Sequence, residues 1–373
     1  YAYSSRGGLA YEELKYTSAL GDLDKAIELD PTNRYAYLYR AELKNATGNM
    51  EGALLDYRKL YIFEPTNNDW GFMLSKALID SKKYEEALYI FNKIIAANSK
   101  NGKYLVQQAV AMSGLGNTTR AVAQFQRVIT NDSTIIDKLN TAQKNKETAG
   151  NVIPILSAAY ICMGDTYVPP KDNDTSIIYQ KADRAIGILK TIISDAYIGI
   201  VTTNLMHNDT AAAYRNISRA IETDQDNDNA YFAMANLKMV KKNYLGADYD
   251  YVSVLLINPR NIKTYAYRGL AESYIPDTAG MRTDFERAIK LSPQNENNYI
   301  LRGEAKINLK DLARAIKDFD TAIALNPKNP DGWFYRGLAK INQNNRSGCS
   351  DLTKALELGS KEAAGAIKKY CGH

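Results

Sequence analysis

The chain has 373 residues, 47 of them basic and 42 acidic, for a net charge of +5, and 45% of the chain is hydrophobic. That length suits two or three ordinary domains. The basic residues are dispersed among acids rather than gathered on one stripe, which excludes a typical nucleic-acid binder, and no apolar run reads as long enough to cross a bilayer.

Taken in order, the chain repeats itself. Small residues stand 34 apart at Gly7, Ala41, Ser75 and Ala109, and again at Val201, Ala235, Gly269, Gly303 and Gly337. A second small series follows at Ala19, Ala53, Ala87 and Ala121, then Ala213, Ala247, Met281, Ala315 and Cys349. Four residues after it come Leu23, Tyr57, Phe91 and Phe125, then Ile217, Tyr251, Phe285 and Phe319. Prolines close the units at Pro31, Pro65, Pro259, Pro293 and Pro327.

The unit from Glu296 to Asn329 explains the pattern. Ala315, Phe319 and Ala322 fall at i, i+4 and i+7 and share one helix face. Asp311 precedes them as an N-cap, and Asn326-Pro327 ends the run. Tyr299, Ile300, Gly303 and Ile307 form a second helical face. The short Leu309-Lys310-Asp311 link folds the two helices into an antiparallel hairpin. Gly303 opposite Ala315 lets them approach closely, with Phe319 beside them. One hairpin leaves its apolar face bare, whereas stacked copies cover it.

The small residue, the Ala-x3-aromatic step and the closing proline resemble the tetratricopeptide repeat family, with Arg302 where that family has a large residue. The resemblance implies an all-α, right-handed solenoid of about ten hairpins. Four repeats occupy 1–135, an irregular helical connector or overgrown unit 136–193, five repeats 194–359, and a capping helix 360–373. Val201 and Met281 break the small-residue rule, so looser packing is expected in the sixth and eighth units.

The phase breaks between Ala109 and Val201, which lie 92 residues apart, 24 more than two periods. Within that span helices are expected at Ile135–Lys146, Val152–Asp165 and from a Thr175 cap to Ile193. A loop runs from Val168 through Pro169, Pro170, Lys171, Asp172 and Asn173 to Asp174. The segment either redirects the solenoid or is a simple insertion. At the tail, Gly359 breaks the last hairpin and Ser360 starts a helix to Tyr370. Ala363, Ala364 and Ile367 form its apolar side, and Lys361, Glu362, Lys368 and Lys369 its charged side, as a solenoid cap needs. Tyr1 stands at the start of a repeat helix, so residues are expected to precede it, and no stretch reads as a signal peptide.

Cys349 and Cys371 each lie 11 residues from Ser360. A hairpin turning there sets them side by side, which permits a disulfide and with it an oxidising compartment. The other reading makes Cys349 a small buried residue in the alanine slot. Cys162 reads as core. The cap resembles tails of exported bacterial members of the family, which points to the periplasm or cell surface, with the cytoplasm as the alternative.

Catalytic chemistry is not expected. His207 lies by a turn and His373 is the last residue; neither has a partner at metal-ligand spacing or the setting of a nucleophilic triad. No phosphate-binding glycine motif occurs. Asp248, Asp250, Asp318 and Asp320 read as solvated faces of repeat helices. No cofactor and no metal is expected.

What the family does implies a binding groove on the first helix of each repeat. By register its residues are Leu38 and Glu42, then Phe72, Lys76 and Ile79, then Val106 and Val110. Ile198, Thr202, Phe232, Asn236, Met239, Ala266 and Leu270 follow, then Ile300, Glu304 and Ile307, and finally Phe334, Leu338 and Ile341. Such an apolar row marks an interface or is buried between neighbouring helices. Chaperone-binding members hold a terminal carboxylate with a lysine- and asparagine-rich set; Phe232 replaces the first lysine in the unit that keeps Asn236. The 27 tyrosines, clustered at Tyr35, Tyr37, Tyr39, Tyr57 and Tyr61 and at Tyr249 and Tyr251, suit either a contact surface or packing between repeats. The expected function is a non-enzymatic protein–protein interaction scaffold that takes a peptide or helical segment in its groove. The alternative is a docking subunit of a bacterial envelope complex, membrane-associated through its edges and connector. A cytoplasmic co-chaperone is the third reading.

Overall fold

The computed structural model describes residues 2–170, 174–275 and 278–372. Tyr1, His373 and the loop residues Lys171, Asp172 and Asn173, on all of which expectations fall, lie outside the described residues. Regular structure among the described residues is entirely helical. The first helices are α1 (Ala2–Glu12), α2 (Tyr16–Leu29), α3 (Arg34–Ala46), α4 (Met50–Phe63), α5 (Asn68–Asp80), α6 (Tyr84–Ala97) and α7 (Gly102–Gly114). The middle of the chain holds α8 (Thr118–Lys144), α9 (Ala149–Met163), α10 (Thr175–Met206) and α11 (Thr210–Thr223). Then come α12 (Asp228–Val240), α13 (Tyr244–Ile257), α14 (Ile262–Glu272), α15 (Thr278–Leu291) and α16 (Glu296–Asn308). The last are α17 (Leu312–Leu325), α18 (Pro330–Asn342), α19 (Gly348–Glu357) and α20 (Lys361–Tyr370).

The 34-residue period sets both ends of each hairpin. At the N-termini of α3, α5, α7, α12, α16 and α18 an asparagine side chain accepts a backbone N–H from the first turn: Asn33, Asn67, Asn101, Asn227, Asn295 and Asn329. Each such cap stabilises its helix by about 1 kcal/mol. At the turn inside the hairpin one residue is left-handed, at Leu14, Gly48, Lys82 and Gly116, each 34 apart, then at Asn208, Lys242, Lys310 and Asn344, spaced by 34 or by 68. At Lys310 the turn closes with Lys310 N–H to Ile307 O and Asp311 N–H to Lys306 O, the double bond that finishes a helix through a left-handed residue.

The expected packing register holds in both halves. Ala19, Ala53, Ala87, Ala121, Ala213, Ala247 and Ala315 are all fully buried, and Leu23, Phe91, Phe125, Ile217, Tyr251 and Phe319 are buried beside them. A Cβ on Gly303 would come 2.5 Å from the Phe319 ring, so the glycine is what lets α16 and α17 touch. In the last hairpin the register slips by one. Gly348, not Cys349, occupies the small slot: it is buried, and its absent Cβ would meet the Gly337 carbonyl at 2.4 Å. The slip swings Cys349 out to bond with Cys371, the Cα atoms 5.8 Å apart.

Arginine in place of the family's large residue has a structural answer. Arg6, Arg268 and Arg302 each grip an aspartate sixteen residues on, Asp22, Asp284 and Asp318, with N–O distances of 2.6, 2.7 and 2.7 Å. Arg336 holds Asp351 at 2.7 Å, fifteen residues on because of the slip, and also reaches back to Asp320. The fourth repeat has Gln108 and Gln124 in the same two places, bonded at 2.8 Å, and the third has buried Leu74 and Ile90. Asp318 is therefore a buried partner, not a solvated face.

The chain forms two compact units, Tyr1–Ala53 with Lys238–His373, and Leu54–Leu237. In the first, stretches far apart in sequence meet: Arg260 pairs with the Glu12 carboxylate and donates to the Glu12 carbonyl at 2.9 Å. Ala363 of α20 is buried, whereas Ala364 is exposed. The second unit has its largest apolar core on α7 to α10. Here the connector is built from continuous helices. α8 runs 27 residues through the expected boundary at 135, and α10 runs 32 residues through the one at 193. No proline stands at either place, so nothing stops them. Asp174, not Thr175, caps α10 by accepting the Ser176 N–H. Val201 is buried with Ala213 and Ile217, and Gly199 lets α10 meet α8, since a Cβ there would sit 2.3 Å from the Phe125 ring. By length and composition α10 does pass as a membrane span, against the expectation. Its Ile178, Ile186, Leu189 and Ile193 instead complete the core.

Candidate interaction surface

The predicted groove residues divide between the units. In the second unit Phe72 packs on Tyr104 with ring centres 5.3 Å apart and on Phe91 at 6.3 Å. Phe72, Lys76 and Val106 line one cleft of about 260 Å³ with Lys103, Ile192 and Asp195. Lys76 and Lys103 are exposed at its rim. Asp195 accepts from Asn227 Nδ2 at 2.9 Å; burial raises its carboxyl above the usual range, opposed by that bond and by Lys76. Ile79 and Val106 are buried, Val110, Ile198, Phe232 and Asn236 half-buried, and Thr202 exposed. The α10 residues of this cleft were not foreseen, because the sequence gives no reason to fold the connector back against α5 and α7.

In the first unit Leu38, Glu42, Met239, Ile307, Phe334, Leu338 and Ile341 are half-buried, while Ala266, Leu270 and Ile300 are buried. Glu304 is the polar centre of this face. Tyr274 donates to it at 3.4 Å, and burial raises its carboxyl, offset by bonds from Tyr335 and Tyr274. The Tyr274 ring stacks on Tyr244, 4.1 Å apart and nearly parallel; Phe334 meets Tyr335 edge-on at 5.3 Å. Burial likewise raises Glu42, with Glu12 adding repulsion. Of the tyrosine clusters, Tyr37, Tyr57 and Tyr251 are buried whereas Tyr35 and Tyr249 are mostly exposed.

His207 Nδ1 lies 2.8 Å from the Thr203 carbonyl, its own helix end. No group of three histidine, cysteine, aspartate or glutamate side chains fit to hold a metal occurs among the described residues. The arrangement offers apolar shelves edged by single charges, which suits side-chain recognition.

Sequence profiles described as tetratricopeptide repeat match residues 6–69, 104–134 and 297–329. The chain is 20% identical over 303 residues to the DnaJ homolog subfamily C member 7 homolog of Dictyostelium discoideum, covering 75% of this chain and 53% of that protein. It is 33% identical over 113 residues to Sperm-associated antigen 1 of Mus musculus, covering 30% of this chain and 12% of that one. The chain thus spans about half the length of the first relative and far less of the second. A tetratricopeptide repeat protein from Parabacteroides merdae aligns at 16% identity with a TM-score of 0.42, over 82% of this chain and 98% of that one.

Proposed function

We propose that this chain, which belongs to the tetratricopeptide repeat family, is a non-enzymatic scaffold that holds a peptide or helical segment of a partner protein against the first helices of its repeats. The observation that carries this reading is the cleft of Phe72, Val106 and Ile192 rimmed by Lys76 and Lys103. An apolar side chain enters such a shelf, and an acidic neighbour on the same segment meets the lysines. Anchors of this kind dominate interface energies, while rim charges steer association.

The test uses captured partners from native extract. Lys76→Glu with Lys103→Glu should remove capture and leave the helical circular dichroism spectrum intact. Phe334→Asp probes the face of the other unit by itself. Capture unchanged in both variants rejects the helix faces as the binding surface and leaves edge docking in an envelope complex as the better reading.

The Cys349–Cys371 bond favours an exported protein, in the periplasm or at the cell surface, since such bonds persist in oxidising compartments. Alkylation of the unfolded chain without reductant should then find one free thiol, that of Cys162. Three free thiols in material taken from its native compartment would place the protein on the reducing side of the membrane.

A further inference from the structure

Asp132 occupies a place whose counterparts are all turn residues. Asp30, Asp224, Asn258 and Asn326 each end a helix and accept the backbone N–H two residues on. At Asp132 no proline follows and α8 continues, so that N–H is taken up by the helix. The carboxylate is instead 1% exposed. Its Oδ1 accepts from Asn131 Nδ2 at 3.1 Å, and its Oδ2 has no partner. Leaving such an oxygen buried and unsatisfied is costly, so it asks for a donor from outside the chain.

The oxygen lines a cleft of about 220 Å³. Gly102 keeps the space before it open, since a Cβ there would stand 3.1 Å from Oδ2. Leu105, Val128 and Ile135 make the wall apolar, and Lys100 and Arg127, both exposed, sit at its edge. A simple amine would satisfy the carboxylate but face two cations. A simple carboxylate would satisfy the cations but face Asp132. A metal ion lacks ligands here: Cys162 is the nearest candidate, and burial pushes its thiol up to about 11. A ligand carrying both charges and an apolar body meets every wall. The volume lies below the roughly 300–1,000 Å³ of drug-sized sites, which limits the ligand to amino-acid size.

We propose that the cleft between α7, α8 and α9 binds a free apolar α-amino acid, its ammonium on Asp132 and its carboxylate on Lys100 and Arg127. This site is separate from the helix faces assigned to a partner segment.

Calorimetry on the full chain at neutral pH tests it with leucine, isoleucine, valine and methionine. At least one should bind saturably. Isoamylamine and 4-methylpentanoate, which keep the apolar body of leucine and one charge each, should bind at least about tenfold more weakly, a difference of about 1.4 kcal/mol. Asp132→Asn and Arg127→Glu should each lower amino-acid affinity by at least about the same factor. Arg127 is exposed, so its variant keeps the test alive should the buried one misfold. No heat from any of the four, single-charge analogues that bind equally well, or variants with unchanged affinity would each overturn the proposal.

Discussion

Replacing Asp132 by asparagine should stabilise the ligand-free chain above pH 6 by up to about 3 kcal/mol and leave it nearly unchanged near pH 4. Burial is the larger influence on this carboxyl and raises it to about 6 from 3.8, against the smaller opposing influence of the Asn131 amide and the Cys162 thiol. The folded chain therefore holds a proton that the unfolded chain has already released between those two values. Where the native state binds more protons, stability falls as pH rises. The cost is absent below about pH 4, grows through the window, and is complete above about pH 6. Asparagine keeps the shape and carries no charge, so it escapes the cost at every pH. Denaturant midpoints of both proteins at several pH values between 4 and 8 read the difference directly. Burial also raises Asp195, Asp250 and Glu304, so some slope survives in the variant; the gap between the two curves is the quantity of interest. A constant gap across that range would mean that Asp132 stays ionised in the fold.

The same residue marks where sequence reading stops. The repeats were legible because the small and bulky positions obey one period on either side of the phase break, the last hairpin excepted, and each such position is decided by contact inside its own hairpin or with the next. The asparagine caps and the left-handed turn residues obey that period too, and were equally available: Asn33, Asn67 and Asn101 stand 34 residues apart, and after the phase break Asn227, Asn295 and Asn329 stand 68 and 34 apart. The Arg302–Asp318 pair was half legible, as an anomaly at the arginine without its partner. Reading the residue before each bulky position would have found the aspartate. The connector was opaque for a different reason. Whether a helix ends at 132 or continues to 144 depends on what α10 packs against, and that is settled by residues some sixty positions away, such as Gly199 against Phe125. The groove residues were placed by analogy with a family whose first helices face a common trough. Phe72, Lys76 and Val106 do share a cleft, but its far wall comes from α10, which period-based reasoning assigns to a different repeat. The alanine slot of the last hairpin failed by one position because Gly348 follows Gly337 by 11 residues where Ala315 follows Gly303 by 12, a change invisible when the count of 34 is trusted.

Truncating Asp318 to alanine should cost about 3 kcal/mol, near the lower end for a broken buried ion pair. The carboxylate is 6% exposed and takes Arg302 through two nitrogens and Lys306 through a third, at 2.6 Å. Removing it leaves two cations one turn apart on α16 with their counter-charge gone. The Arg302 side chain is 29% exposed, so water reaches part of it and holds the loss to the lower end. The informative comparison is the double variant Arg302→Leu with Asp318→Leu. It removes both desolvation costs at once, and Lys306, half-buried with its side chain 22% exposed, can turn its ammonium out to water on a flexible stem. The chain already contains the outcome in its third repeat, where Leu74 and Ile90 fill the same two places and are both buried. The double variant should therefore unfold within about 1 kcal/mol of the parent, since replacing a buried pair by apolar groups of similar volume is often neutral or better. If Asp318→Ala alone costs less than about 1 kcal/mol, as an exposed pair would, the arginine ladder is a solvated ornament. If instead the double variant loses as much as the single one, the pair fixes the hairpin geometry in a way that leucine cannot, and the third repeat must owe its stability to packing that the ninth lacks.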